Sequence, residues 1–182
     1  MIIDALKLML GKDNFTPYNN EFIGSEVSKK NFSIINNKKS SKIICIDGGC
    51  ATIADGGSWI LAKIKLGIIE YEGLKKNRQE TEEYYLIIVQ KEKYELRIYN
   101  KGEISELKLS GIDSIKIEEL PSNIMKYFEW NACLKQKKDC LIIMDSALNA
   151  EYEFEKELVK KALDEKLNVI GFCKTSRMRT TN

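Results

Sequence analysis

The chain has 182 residues, of which 43% are hydrophobic and 31% are charged, as in a globular protein with one buried core. Its net charge of +2 neither requires nor excludes a polyanionic partner, and no apolar run reaches the roughly 20 residues of a membrane span. There is no histidine, and no two of the five cysteines have CxxC spacing. This argues against a Cys/His zinc site and excludes Ser-His-Asp and Cys-His catalysis, so any catalysis must use carboxylates, lysines, tyrosines or an oxygen-bound metal.

Residues 1–40 are predicted to form an accessory segment. Its start, about residues 2–11, has the pattern of an amphipathic helix and lacks the basic start and cleavage site of a signal peptide. The polar stretch that follows is rich in Asn, Ser and Lys, which is typical of a loop or linker. We therefore expect a cytoplasmic protein with no membrane association, whose main domain covers residues 41–182.

The next block is predicted to be rich in strands. Lys42–Asp47 is a short apolar run of the kind that forms a buried central strand, and the following Gly48-Gly49 is expected to end it. Ser58–Tyr71 alternates apolar with polar residues, as a half-buried strand does. Three further strands are expected after it, at residues 84–90, 94–99 and 104–109.

The last third of the chain alternates helices with short strands. Pro121 suits the first turn of a helix, after which apolar residues recur at helical spacing. Leu141–Met144 is predicted to be a buried strand, Asn149 to cap a second helix, and Asn168–Cys173 to form a last strand. This order predicts an α/β fold with a mixed sheet, antiparallel in its early strands and parallel in its late ones, flanked by helices.

Two of the predicted buried strands end in an aspartate. Asp47 and Asp145 each follow an apolar run, so both carboxylates are expected to converge at one edge of the sheet. Like charges so close are costly without a cation between them, and Mg²⁺ or Mn²⁺ prefers oxygen ligands. The glycines after Asp47 are expected to allow a sharp turn and the approach of a substrate. For either aspartate alone a turn cap is the alternative, but the pair favours a metal site.

Glu129 is the third candidate. Its neighbours one turn away on the predicted helix are apolar, so its carboxylate is expected at the edge of the core. An ordinary boundary residue, with a packed stem and a solvated head, is the alternative. Because the helix leads directly into the strand before Asp145, the predicted metal-binding cluster is Asp47, Glu129 and Asp145.

Three segments carry short motifs in a definite order. Ile43–Gly49 is a strand ending in Asp-Gly-Gly, Leu141–Leu148 is a strand ending in an Asp-Ser-Ala-Leu turn, and Val169–Ser176 is a strand leading into Lys-Thr-Ser. Together they resemble the NurA family of DNA-repair nucleases, over about residues 40–180. The resemblance implies an RNase H-like fold.

The resemblance also implies roles and partners. By position, Asp47 and Asp145 match the metal-binding aspartates, Glu129 matches the acidic residue on the preceding helix, and Lys174 matches the lysine after the last strand. The implied activity is Mn²⁺- or Mg²⁺-dependent hydrolysis of DNA, in which Lys174 contacts the scissile phosphate or orients the water. The implied role is DNA end resection by a homodimer, with a HerA-type hexameric ATPase as partner.

The sequence departs from the family pattern at two points. Ser146 stands where the family has glycine, and the histidine of the family's C-terminal helical region is missing, so the domain over residues 41–182 is expected to lack that region. Two alternatives stay open. One is a catalytically incomplete module that binds DNA or serves in assembly. The other is half of an actin-like nucleotide-binding fold, which needs a second lobe for which the chain is too short.

Overall fold

The computed structural model describes residues 42–146, 148 and 150–172, which belong to one compact unit. In chain order its elements are β1 (Lys42–Asp55), β2 (Trp59–Glu72), β3 (Lys75–Gln90), β4 (Tyr94–Asn100), β5 (Glu103–Leu107), α1 (Leu120–Leu134), β6 (Leu141–Met144), α2 (Glu153–Asp164) and β7 (Asn168–Gly171). The predicted accessory segment, with its helix near residues 2–11, lies outside the described residues.

The seven strands form one mixed sheet in the order β5-β4-β3-β2-β1-β6-β7. β1 to β5 pair antiparallel in succession, whereas β6 runs parallel to β1 and β7 runs parallel to β6. Antiparallel neighbours need only short turns, but the parallel pair β6 and β7 needs a crossover, and α2 provides it. This confirms the predicted α/β fold, with a mixed sheet that is antiparallel in its early strands, parallel in its late strands and flanked by helices.

The core lies on one face of the sheet, and β2 shows why. Alternate residues of this strand are all buried: Ile60, Ala62, Ile64, Leu66 and Ile68. Lys63 and Lys65, which lie between them, point to the other face and pair with Glu83. α1 packs on the buried face against β1 and β2. The alternation predicted for this strand is therefore confirmed, and each buried aliphatic side chain contributes roughly 1.5–3 kcal/mol.

β1 does not end where the sequence predicted. The strand continues through Gly48 and Gly49 to Asp55, and neither glycine has a positive φ. It continues because β2 supplies cross-strand partners along the whole stretch, including Gly67 opposite Asp47 and Leu66 opposite Gly48. The prediction of a sharp turn after Asp47 was therefore wrong.

β3 is also longer than predicted. It begins at Lys75 rather than near residue 84, and its first half is polar and exposed. β2 pairs with it from the turn onward, so backbone hydrogen bonds extend the strand without an apolar face. β5 was predicted at residues 104–109 and is found at Glu103–Leu107.

The two helices pack against each other. α1 has Pro121 in its first turn, as predicted. α2 begins after Tyr152, so the prediction of Asn149 as its cap was wrong; the Glu155 carboxylate accepts the Tyr152 N–H at 3.2 Å instead. Tyr127 of α1 meets Phe154 of α2 edge to face at 6.4 Å between ring centroids. No helix within the described ranges is long and apolar enough to cross a membrane.

Candidate active site

Asp47 and Asp145 occupy neighbouring positions on the two central parallel strands. Ile46 is the register partner of Met144, and the Asp145 N–H donates to the Ile46 carbonyl at 3.2 Å, so the ladder extends one residue beyond β6. Paired strands lie about 4.8 Å apart, which makes the next residues, Asp47 and Asp145, lateral neighbours. Asp47 is exposed and Asp145 is half-buried. The strand register therefore makes the two aspartates neighbours along the backbone, while their sharing of a cation stays a prediction.

Glu129 reaches the same strand from α1. Its side chain is 1% exposed, and its Oε1 accepts the Gly48 N–H at 2.8 Å. Gly48 directly follows Asp47, so Glu129 binds the peptide group between the two residues. The interpretation as a boundary residue with a solvated head is therefore wrong, because the whole side chain is buried.

Electrostatics connect the three carboxyl groups. The pKa of Glu129 is raised to about 7: burial and the negative charges of Asp47 and Asp145 raise it, whereas the Gly48 N–H and Lys126 lower it. A carboxyl group with such a pKa exchanges its proton near neutral pH. Perturbation of this kind, next to other acidic groups, is typical of functional sites.

The residues fit a hard cation in their chemistry. Glu129 Oε2 is buried without a hydrogen-bond partner among the described residues, and Asp47 and Asp145 add further oxygen donors. Within the part of the chain that the structure describes, however, no three acidic, cysteine or histidine side chains are arranged to hold a metal ion. Strand alternation explains this, because Asp47 projects away from the face that Gly48 presents to α1.

Three further residues belong to this region: Gly48, for which the sequence predicted a turn, and Lys126 and Cys50, which the sequence did not single out for the site. Gly48 supplies the N–H that binds Glu129. Lys126 lies one turn before Glu129, lowers its pKa, and places its Nζ 3.7 Å from Glu155 Oε1. Partial desolvation of the thiol and the charge of Glu129 raise the pKa of Cys50. Of Lys126 and Cys50, only Lys126 had a signal in the sequence, namely its i, i+3 spacing to Glu129.

Lys174, the fourth predicted site residue, lies outside the described residues. The part of β7 that would lead to it is in place, because the Phe172 N–H donates to the Met144 carbonyl at 2.8 Å and Gly171 pairs with Met144. The role of Lys174 therefore stays a prediction.

A solved structure similar to this chain is that of the NurA nuclease from Sulfolobus solfataricus, with a TM-score of 0.41 and 15% sequence identity. The match covers 76% of this chain and 49% of that one, so the chain spans about half the length of the structure it matches. No family model and no curated protein matches the sequence. A likeness of this size carries no conclusion about activity, so a functional argument has to start from the carboxylates.

Proposed function

We propose that this chain is a divalent-metal-dependent nuclease that hydrolyses phosphodiester bonds in DNA. The observation that carries the proposal is Glu129, which is buried, is acted on by the charges of Asp47 and Asp145, and leaves Oε2 without a hydrogen-bond partner in the described part of the chain. The proposal requires the exposed Asp47 side chain to turn towards the end of β6, where a cation shared with Glu129 and Asp145 would offset both their repulsion and the desolvation of Glu129. Sites of this composition support metal-assisted hydrolysis of phosphodiesters.

The chain's own residues have separate tasks in this proposal. Glu129 is held by the core and by Gly48, and the ladder between β1 and β6 holds Asp47 beside Asp145. Asp47 is exposed, so a DNA backbone can reach it. A bound Mn²⁺ or Mg²⁺ supplies a Lewis acid that activates water and stabilises charge on the phosphate oxygens. Lys174 is proposed to contact the scissile phosphate through its positive charge.

The test is cleavage of single- and double-stranded DNA by the purified full chain with Mn²⁺. Asp47→Ala is expected to reduce cleavage by about 100-fold or more, since loss of even an indirect partner of a metal site costs about 10–100-fold. Asp55→Ala is the matched control, because Asp55 is an exposed aspartate on the same strand, at its C-terminal end. Equal cleavage by wild type and Asp47→Ala would remove the site assignment.

The second candidate function is a catalytically incomplete module that binds DNA or serves in assembly. The observation that favours it is the lack, among the described residues, of three side chains arranged for a metal ion. Binding of DNA without any metal-stimulated cleavage would select this candidate over the nuclease.

The cellular role is proposed from the resemblance in sequence motifs alone. It comprises end resection during DNA repair in the cytoplasm, a homodimeric state, and association with a HerA-type hexameric ATPase. Light scattering of the purified chain measures the oligomeric state, and co-purification with such an ATPase tests the partner. A monomer that does not bind the ATPase would leave the nuclease proposal intact and remove this role.

A further inference from the structure

Gly48 lies where, among the described residues, β1 loses its neighbour on one side. In these residues β6 pairs with β1 as far as Met144, and the last bond of this ladder runs from the Asp145 N–H to the Ile46 carbonyl. Backbone groups of every second residue in a strand point to the same side. The Gly48 N–H therefore points to the same side as the Ile46 carbonyl, but past the end of β6. The acceptor it finds is not backbone but Glu129 Oε1, at 2.8 Å.

The same position leaves no room for a side chain. A Cβ at residue 48 would lie 2.8 Å from Glu129 Oε1, 2.8 Å from Met125 Cγ and 3.2 Å from Glu129 Cγ. Contacts below 3.0 Å force a displacement, and here the displaced group includes the carboxylate itself. Gly49 differs completely, because a Cβ there would meet nothing within 4 Å.

The hydrogen bond also decides which carboxylate oxygen is available. Oε1 is held by Gly48, whereas Oε2 has no hydrogen-bond partner among the described residues. A carboxylate that is fixed through one oxygen and unpaired at the other is prepared to donate to a cation, because its orientation is already set.

We infer that Gly48 is a positioning residue: its N–H and its missing side chain hold the Glu129 carboxylate just beyond the end of β6, with Oε2 ready to bind a divalent cation. The inference rests on the proposed metal-dependent function. It also assigns the first glycine after Asp47 a task different from the predicted one. The glycine admits a carboxylate from α1 rather than turning the chain.

The experiment compares Gly48→Ala with Gly49→Ala in the full chain, with Mn²⁺ alone as the probe and its dissociation constant as the readout. Gly48→Ala is expected to weaken Mn²⁺ binding by about 10–100-fold, whereas Gly49→Ala stays within about twofold of wild type. The same substitution is then made in a Glu129→Ala background. If Gly48 acts through Glu129, it has no further effect there, since the two residues form one unit. Equal loss in both backgrounds, or no loss at all, overturns the inference.

A metal-free measurement separates this inference from the proposed function. Hydrogen exchange of the Gly48 amide in wild type is expected to be slow, to remain slow in Glu129→Gln, and to become fast in Glu129→Ala. A Gly48 amide that exchanges equally in all three proteins overturns the inference, even where Gly48→Ala fails to fold. Wild type that does not bind Mn²⁺ but shows the expected exchange pattern removes the proposed function and leaves Gly48 as the residue that positions Glu129.

Discussion

Glu129 combines complete burial with a carboxyl group of which, among the residues that the structure describes, only one oxygen is hydrogen-bonded. Its burial was predictable, because the residues one turn away on α1 are apolar. Its partner was not predictable, because Gly48 is 81 positions away and the contact depends on how α1 crosses β1. Sequence patterns report which face of a helix is buried, but they do not report which atom of a distant strand that face meets.

The stability of the metal-free protein is expected to depend on pH through Glu129. Burial raises the pKa of Glu129 to about 7, whereas in the unfolded chain it is about 4.3. The folded protein thus binds this proton more tightly, so its contribution to stability is present at acidic pH and is lost as the pH rises from about 4.3 to about 7. We expect Glu129→Gln to gain about 1–3 kcal/mol in free energy of unfolding, relative to wild type, between pH 5 and pH 8.

Urea unfolding of both proteins at the two pH values, with a chelator present, measures this difference. Gln is the suitable replacement because it keeps an oxygen that can accept the Gly48 N–H and cannot ionise. A difference in stability that is the same at both pH values would contradict the prediction.

Among the elements, β1 and β3 show what a strand sequence leaves undetermined. The apolar half of each was predicted, because alternation or an apolar run marks a strand that contacts the core. The other halves, Gly48–Asp55 and Lys75–Glu83, have no such pattern, and pairing with β2 keeps them extended. A strand held only by its neighbour can be found only when the neighbour's register is known.

The buried face of β2 gives a direct test at the level of packing. Ile64 is fully buried in the middle of the sheet, so Ile64→Ala is expected to lower the free energy of unfolding by about 2–5 kcal/mol. Lys65→Ala is the matched control. Lys65 is next to Ile64 in the sequence, but its side chain is 62% exposed and its ion pair with Glu83 is at the surface. It should change stability by less than about 0.5 kcal/mol in denaturant unfolding. Similar losses for both variants would mean that β2 does not present one face to the core.

The start of α2 depends on Glu155. Its Oε2 accepts the N–H groups of Glu151 at 2.8 Å and Tyr152 at 3.2 Å, and the side chain is 1% exposed. Glu155→Ala leaves two backbone donors without this acceptor and is expected to cost about 1–3 kcal/mol in thermal or urea unfolding. Glu153→Ala, on the same turn but exposed, loses only a surface pair with Lys156 and should be nearly neutral. A neutral Glu155→Ala would show that the first turn of α2 is capped in another way.

For the whole molecule, the order of elements along the chain was enough to predict the fold class. Early strands joined by short turns pair antiparallel, and late strands separated by a helix pair parallel. The same order predicted that β1 and β6 are neighbours, and their register makes Asp47 and Asp145 adjacent where this pairing ends. The distances among the carboxylates of Asp47, Asp145 and Glu129 could not be predicted, since they depend on the twist of the sheet and on the packing of α1.

The sheet order predicts an unequal distribution of local stability. β2 has strands on both sides along its whole length, whereas the outer sides of β5 and β7 have no strand partner within the described part of the chain. Amide hydrogen exchange followed by NMR should therefore be slowest in Ile60–Ile68 and fastest in β5. Equal protection in β2 and β5 would contradict the strand order.

Lys126 has a consequence that reaches beyond its own turn of α1. Its ammonium group is 3.7 Å from Glu155 and also lowers the pKa of Glu129, so one cation is shared by two buried carboxylates on different helices. We therefore expect the acidity of Glu129 to depend in part on α2. Glu155→Gln should let Lys126 act more fully on Glu129 and shift the carboxyl titration of Glu129, followed by ¹³C NMR, towards lower pH. Through the shared charge of Lys126, α2 is expected to influence the protonation of Glu129, which lies on α1.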